Sequence, residues 1–299
     1  MDFITKSSGL QHIAEQIFLN LNYEKLEVCQ KVNEFWKVQL NSAMFWLKKC
    51  AQKGLTGQHY LEWSNLIKQP KSQNVEEQVI SCLMKMYHVR CTSLSPILSP
   101  IQIAFLFQYD EIIEIMAPLT ENPNDPFPNE CTYAGYTPIQ MAAKVKNVKV
   151  IRLLAPFSTN PNAPIRYPKG LCPIMGIHGC QSCNMQGWTP IQDLAIYNNK
   201  KKSLYVSIAD AEIIKILAPL SEIPNAPDPH GYTPIQRAAL NGNTEIINIL
   251  IPFSDIPNAP NPHGYSPIQN AAFNGNVEII KMLAPITTNP NTPEISNCR

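Results

Sequence analysis

Four residues of this chain have side chains that could hold a metal and lie close enough to try. Cys172, His178, Cys180 and Cys183 fall within 12 residues, and thiolate sulfur and imidazole nitrogen are the usual zinc donors. The set has one Cys-x2-Cys pair and no second half. The expectation is therefore reduced cysteines, with no metal and no cofactor; a disulfide would require an extracellular chain. His230 and His263 occupy matching Pro-His-Gly turns. Two imidazoles so placed could line a partner surface or hold a metal, and the plainest reading is a pair of solvated turn residues. Lys200, Lys201 and Lys202 form a basic run that reads as a solvated turn before it reads as a site for an acidic partner. No Ser, His and Asp arrangement, Gly-rich phosphate loop or spaced pair of carboxylates stands out. Twelve glycines leave little room for nucleotide loops. The expectation is a chain that binds and does no chemistry of its own.

The elements behind these residues repeat. GYTPIQRAALNGNTEIINILIPFSDIPNAP, from Gly231 to Pro260, returns as GYSPIQNAAFNGNVEIIKMLAPITTNPNTP from Gly264 to Pro293. Pro234 and Pro267 are 33 residues apart, as are Pro252 and Pro285, and a fixed period of this length marks a stacked array. Thr233 and Ser266 read as N-caps, with proline following at the first helical position, where a missing N–H costs nothing. The pairs Ala238–Ala239 and Ala271–Ala272 let helices approach closely. Asn-Gly-Asn stops the first helix, because glycine tolerates the left-handed conformation. Ile246, Ile247, Ile249 and Leu250 form an apolar stripe on a second helix, which Pro252 is expected to halt.

This pattern resembles the ankyrin repeat, with its TPLHxAA first helix. It departs at Gln236, where that family usually has His, and at the proline that ends the second helix. Helix-one prolines fall at 100, 138, 190, 234 and 267. The predicted repeats are 99–126, 135–164, 187–227, 231–260 and 264–293. Relative to the 33-residue period, 5 extra residues separate the first two repeats and 19 the next two. Another 11 split the helices of the third. Such loops carry function at little cost. The resemblance implies a groove that binds a protein target. Its candidate contacts are Lys144, Val145, Tyr197, Asn198, Leu240, Asn241, Phe273 and Asn274, with His230 and His263 at turn tips. Lys281, Thr287, Thr288 and Asn289 suit a polar C-terminal end.

A chain of 299 residues permits two domains, and 44% hydrophobic residues suffice for buried cores. The net charge is +1, which points to neither nucleic acid nor a membrane surface. The opening residues do not read as a leader, and no apolar run has the length of a membrane span. A cytoplasmic or nuclear setting is expected.

The first 54 residues follow another pattern. Leu10, Ile13, Ile17 and Leu21 recur at helical spacing beside Phe18. Asn22 is placed to cap a second helix carrying Leu26, Cys29, Val32, Trp36 and Leu40. Ser42 is placed to cap a third with Phe45, Trp46 and Leu47. LQHIAEQIFLNLNYEKLEVCQKVNEFWKVQLNSAMFW resembles an F-box, departing at Gln11 and Asn33, where Pro and Cys are usual. The resemblance implies binding to the Skp-type adaptor of an SCF (cullin–RING) ubiquitin ligase through Leu10, Ile13, Ile17, Phe18, Leu21, Leu26, Val32 and Trp36. Residues 55–92 read as a connector of two helices, one with Tyr60, Trp63 and Ile67, the other with Val79, Leu83 and Met86.

The predicted architecture is thus all-α: an F-box three-helix unit at 1–54, a helical connector at 55–92 and a five-repeat ankyrin solenoid within 93–299. The expected role is a non-catalytic substrate receptor of the ligase. The alternatives are an ankyrin scaffold that meets no ligase, or an effector that hijacks one.

Overall fold

The structure, a computed structural model, describes residues 8–32, 34–88, 98–128, 135–166, 187–196 and 208–287, and every regular element there is a helix. The chain divides into two compact units, residues 1–121 and 122–299.

In the first unit, α1 (Ser8–Asn20), α2 (Tyr23–Gln30), α3 (Glu34–Leu40) and α4 (Ala43–Gln52) open the chain. They are followed by α5 (Tyr60–Lys68) and α6 (Gln73–His88), and then by α7 (Pro100–Leu106) and α8 (Asp110–Met116). Asn22 caps α2 as expected, accepting from Lys25 N at 3.0 Å. Ser42 sits at the N-cap of α4 but makes no capping bond. The single helix expected across Leu26 to Leu40 is instead two. The amides of Lys31 and Val32 close back onto Val28 and Cys29, three residues behind, and that tightened turn ends α2.

The core gathers Trp46, Leu47, Trp63, Leu66, Val79 and Leu83 on α4, α5 and α6. The Trp46 indole donates to Leu40 O at 2.6 Å. Lys49, only 3% exposed, reaches from α4 to the end of α1. Its ammonium donates to the carbonyls of Phe18 (3.3 Å), Leu19 and Leu21 (2.6 Å). A cation there satisfies carbonyls that the ending helix leaves open. Burial, and secondarily Lys53, holds the Lys49 pKa below the ordinary lysine value. On the other flank of α6, Glu111 of α8 accepts from Asn74 at 2.7 and 2.9 Å and from Gln78 at 3.4 Å.

The second unit begins with α9 (Pro138–Lys144) and α10 (Val148–Leu154), then α11 (Pro190–Ile196) and α12 (Ile208–Leu217). It closes with α13 (Pro234–Asn241), α14 (Thr244–Leu250), α15 (Pro267–Phe273) and α16 (Val277–Leu283). With α7–α8 in the first unit, all five predicted helix-one prolines begin helices.

Each first helix starts with the same set of bonds. The Ser or Thr before the proline (Ser99, Thr137, Thr189, Thr233, Ser266) accepts from the backbone N–H three residues on, at 3.2–3.3 Å. The Gln at that third position returns its Oε1 to the cap's N–H at 2.7–3.0 Å. This is a reciprocal capping box. Proline has no N–H to satisfy. The remaining amide, on the isoleucine after the proline, donates to an Asn from the preceding loop. The pairs are Ile139 to Asn124, Ile191 to Asn162, Ile235 to Asn225 and Ile268 to Asn258, at 2.9–3.1 Å. The Gln amide then reaches forward. Gln140 donates to Ala163 O, Gln192 to Ala226 O and Gln236 to Ala259 O, at 2.7–3.0 Å.

Two local details depart from expectation. The terminal prolines do not halt the second helices. Each occupies the second place of a 3-10 turn that extends the helix, as in Ala155–Phe157 and Ala284–Ile286. The hydroxyls of Thr120, Ser158, Ser221 and Thr287 accompany these turns, donating to the carbonyl four residues back at 2.6–2.9 Å. After the first helices, Gly242 takes the left-handed conformation at φ 74° as predicted, but Gln108 and Lys146 adopt φ 59° where a glycine would sit without strain.

Gln236 is 2% exposed. Gln236→Ala leaves the half-buried Thr233 N–H and Ala259 carbonyl without these partners, and is expected to cost about 1–2 kcal/mol, read from urea melts followed by far-UV circular dichroism. Burial pushes the thiols of Cys50 and Cys82 up to about 12, against the opposing nearby Lys53 and Lys85. Iodoacetamide at pH 8 should therefore label the half-exposed Cys29 and spare Cys50 and Cys82. Both should stay protected at pH 10, where an ordinary thiol is ionised, and peptide mass spectrometry should find them labelled once urea unfolds the chain.

Candidate interaction surface

The turns before each first helix share one backbone closure. Asp228 N donates to Tyr232 O at 2.7 Å and Asn261 N to Tyr265 O at 2.8 Å. Phe127 N to Tyr136 O (2.7 Å) and Ile165 N to Trp188 O (2.8 Å) close the two longer turns in the same way. Two residues bridge Asp228 and Gly231, seven bridge Phe127 and Gly135, and 21 bridge Ile165 and Gly187. The expected 5- and 19-residue insertions therefore both enter at the turn tip. In the short turns a polar side chain does the folding. Asp228 Oδ1 accepts from the amides of His230 (2.8 Å) and Tyr232 (3.0 Å), and Asn261 Oδ1 does the same for His263 and Tyr265. In the long turns the same place holds buried Phe127 or Ile165.

His230 and His263 are exposed at these tips. Each ring leans on the aromatic residue one period earlier. His230 lies 5.9 Å from Trp188, and His263 lies 6.0 Å from Tyr232. Arg237 of α13 sits between the two aromatics, its guanidinium 3.9 Å from the Tyr232 ring centroid and 5.7 Å from that of Trp188. It pairs with the fully buried Asp228 carboxylate at 2.7 Å. Lys144 repeats the theme, its ammonium 5.2 Å from the Tyr136 ring. Cations over aromatic faces are held there by the ring quadrupole.

The predicted contacts separate into two kinds. Val145 is exposed and Leu240 marginally so, while Phe273 is 93% exposed. Ile196, Leu240 and Phe273 occupy the same place on α11, α13 and α15. The two asparagines are already spent on structure. Asn241 donates to the carbonyls of Ala195 and Ile196 at 3.2 and 3.1 Å, and Asn274 to Leu240 O at 3.0 Å. Tyr197 and Asn198, the Lys200–Lys202 run, Thr288 and Asn289, and the Cys172/His178/Cys180/Cys183 set lie outside the described residues. Among the described residues no group of three or more His, Cys, Asp and Glu could hold a metal ion.

The second helices carry charge instead. Arg152 pairs with Glu212, and Lys215 with Glu245 at 3.2 Å, each linking neighbouring helix pairs. Lys146 pairs with the buried Asp210. Burial raises the Asp193 pKa above the usual carboxylate value, with Asp210 adding to it and Lys146 and Lys144 opposing.

Of the expected adaptor contacts, Phe18 and Leu26 are buried, and Phe18 packs edge-on against the half-buried Trp36 at 5.3 Å. Leu21 is half-buried. Ile17 and Val32 are 54% and 52% exposed. Leu10 and Ile13 lie on α1, with side chains outside the described set. Val28 and Val38 are also exposed; periodicity counted apolar residues of this segment and so missed which of them face water.

Arg237→Ala strands the Asp228 carboxylate and is expected to cost about 3 kcal/mol. Asn261 performs the same turn without charge, so Arg237→Ala combined with Asp228→Asn should recover most of that loss in a double-mutant cycle of urea midpoints.

A search of curated proteins finds no match to the chain. Residues 203–294 match the family model described as ankyrin repeats, three copies, so the closing part of this chain is built of ankyrin repeats. No helix among the described residues is long and apolar enough to cross a membrane.

Proposed function

We propose that this chain is the substrate-receptor subunit of an SCF-type (cullin–RING) ubiquitin ligase. Its N-terminal helices would take the Skp-type adaptor. The helix pairs that begin at Pro100, Pro138, Pro190, Pro234 and Pro267, read as five ankyrin repeats, would take the target protein. The ankyrin match over 203–294 supports the protein-binding half of this reading. The adaptor half rests on one observation: Ile17, Val28 and Val32 stay in water while their neighbours Phe18 and Leu26 build the core. Covering one such side chain stabilises a complex by about 1.5–3 kcal/mol. On this reading the chain is non-catalytic and raises the concentration of a target beside the ligase.

The second reading is an ankyrin scaffold that never meets a ligase, and the break between α2 and α3 favours it, because the F-box pattern calls for one helix there. A ligase-hijacking effector would use the same surfaces as the first reading. The experiment is a pull-down of the purified full-length chain with a purified Skp-type adaptor. Ile17→Asp/Val32→Asp alters exposed positions and should abolish capture without changing the melting temperature, while Phe273→Ala leaves capture intact. No capture of the unaltered chain removes the ligase reading and leaves the scaffold.

A further inference from the structure

A cleft of about 1070 Å3 opens in the first unit, between α3 with the α3–α4 turn on one side and α6 on the other. Helix α6 has two working faces. Val75, Val79, Cys82, Leu83 and Met86 are buried in the core. The flank carrying Gln73, Glu76, Glu77, Ile80 and Met84 lines the cleft. Ile80 and Met84, four residues apart, are only half-buried, and Val38 on the opposite wall is 60% exposed. None of Ile17, Val28 and Val32 lines this cleft, so it is a surface separate from the one assigned to the adaptor.

Its charges are unequal in availability. Lys37 is paired with Glu34 at 3.2 Å. Lys85 donates to the Tyr109 hydroxyl at 2.9 Å and lies over the Phe107 and Tyr109 rings. Among the described residues Glu77 accepts only a neutral amide, from Gln73 at 3.0 Å. The Glu76 carboxylate has no partner among the described residues. The cleft therefore offers half-buried apolar side chains beside an acidic excess, three carboxylates (Glu34, Glu76, Glu77) against two cations (Lys37, Lys85), with Glu76 and Glu77 in no ion pair among the described residues.

We propose that this cleft docks an amphipathic helix of a partner protein that carries basic side chains beside its apolar stripe. The walls are helices whose own backbone groups are bonded internally. An extended peptide would find no strand edge and would leave its main chain unpaired, whereas a helix arrives with its backbone satisfied. The lining of α6 runs from Gln73 to Lys85, roughly 18 Å at 1.5 Å per residue, so about three turns of a docked helix lie along it. Apolar residues at i, i+3 or i+4 and i+7 meet Ile80, Met84 and Val38, and lysines or arginines beside them meet Glu76 and Glu77.

The test measures fluorescence anisotropy of labelled peptides with the full-length chain. The probes are a Leu/Lys amphipathic helix of about 14 residues, a Leu/Glu helix with the same apolar stripe, and a scrambled Leu/Lys sequence. The Leu/Lys helix should bind saturably, and the other two at least roughly tenfold more weakly. Glu76→Lys/Glu77→Lys, at exposed positions, should weaken the Leu/Lys helix by a similar factor and strengthen the Leu/Glu helix, with an unchanged melting temperature. Ile80→Ser should weaken both, and Ile17→Asp neither. Failure of the Leu/Lys helix to bind, equal binding of scrambled and ordered peptides, or indifference to the charge reversal overturns the proposal. These outcomes do not depend on capture by the adaptor.

Discussion

A helix that begins inside a stack of other helices must pair its first amides without help from water. That requirement shapes the second unit more than any other. The first amides of α9, α11, α13 and α15 each have an assigned partner: a glutamine oxygen, a hydroxyl, or an asparagine from the loop before, with proline removing the one that would be left over. The glutamines of α9, α11 and α13 then donate to the loop that follows. One short motif therefore joins three successive pieces of chain. The unit's order comes from polar bonds set into an apolar stack, each expensive to leave unmade.

Much of this was legible in the residues. Proline after Ser or Thr marked every first helix, and the period placed the 5- and 19-residue insertions at the two long turns, while the 11-residue insertion lies outside the described residues. Gln236 was legible as a departure, though its purpose was not: spacing shows that Gln recurs after Thr-Pro-Ile, but the forward bond to Ala259 depends on how close the next loop comes. The asparagines of the Pro-Asn-x-Pro loops read as turn formers, yet their side chains serve the neighbouring helix. The same limit applies to the surface. Asn241 and Asn274 share a position with residues that contact water, and only packing reveals that their amides cap the preceding helix.

The first unit follows another logic. No repeat supplies the caps of α1 to α6, so α4 sends Lys49 across to gather three carbonyls at the end of α1. Nothing in the local sequence of α1 announces that partner, 28 to 31 residues away. Periodicity named the right apolar residues of this segment and could not divide them into core and surface, because α2 and α3 turn against each other where one helix was expected. The result is a small core of two tryptophans, with several valines and an isoleucine left facing water.

The closure at the turn tips has a further consequence. Whatever leaves the array between Phe127 and Gly135, or between Ile165 and Gly187, departs and returns through the same backbone grip that elsewhere holds two residues. The grip keeps the same backbone partners whether two, seven or 21 residues separate its ends. Such a geometry lets evolution treat the tips as exchangeable cargo bays: new recognition loops can be fitted, lengthened or discarded while the supporting architecture keeps its register.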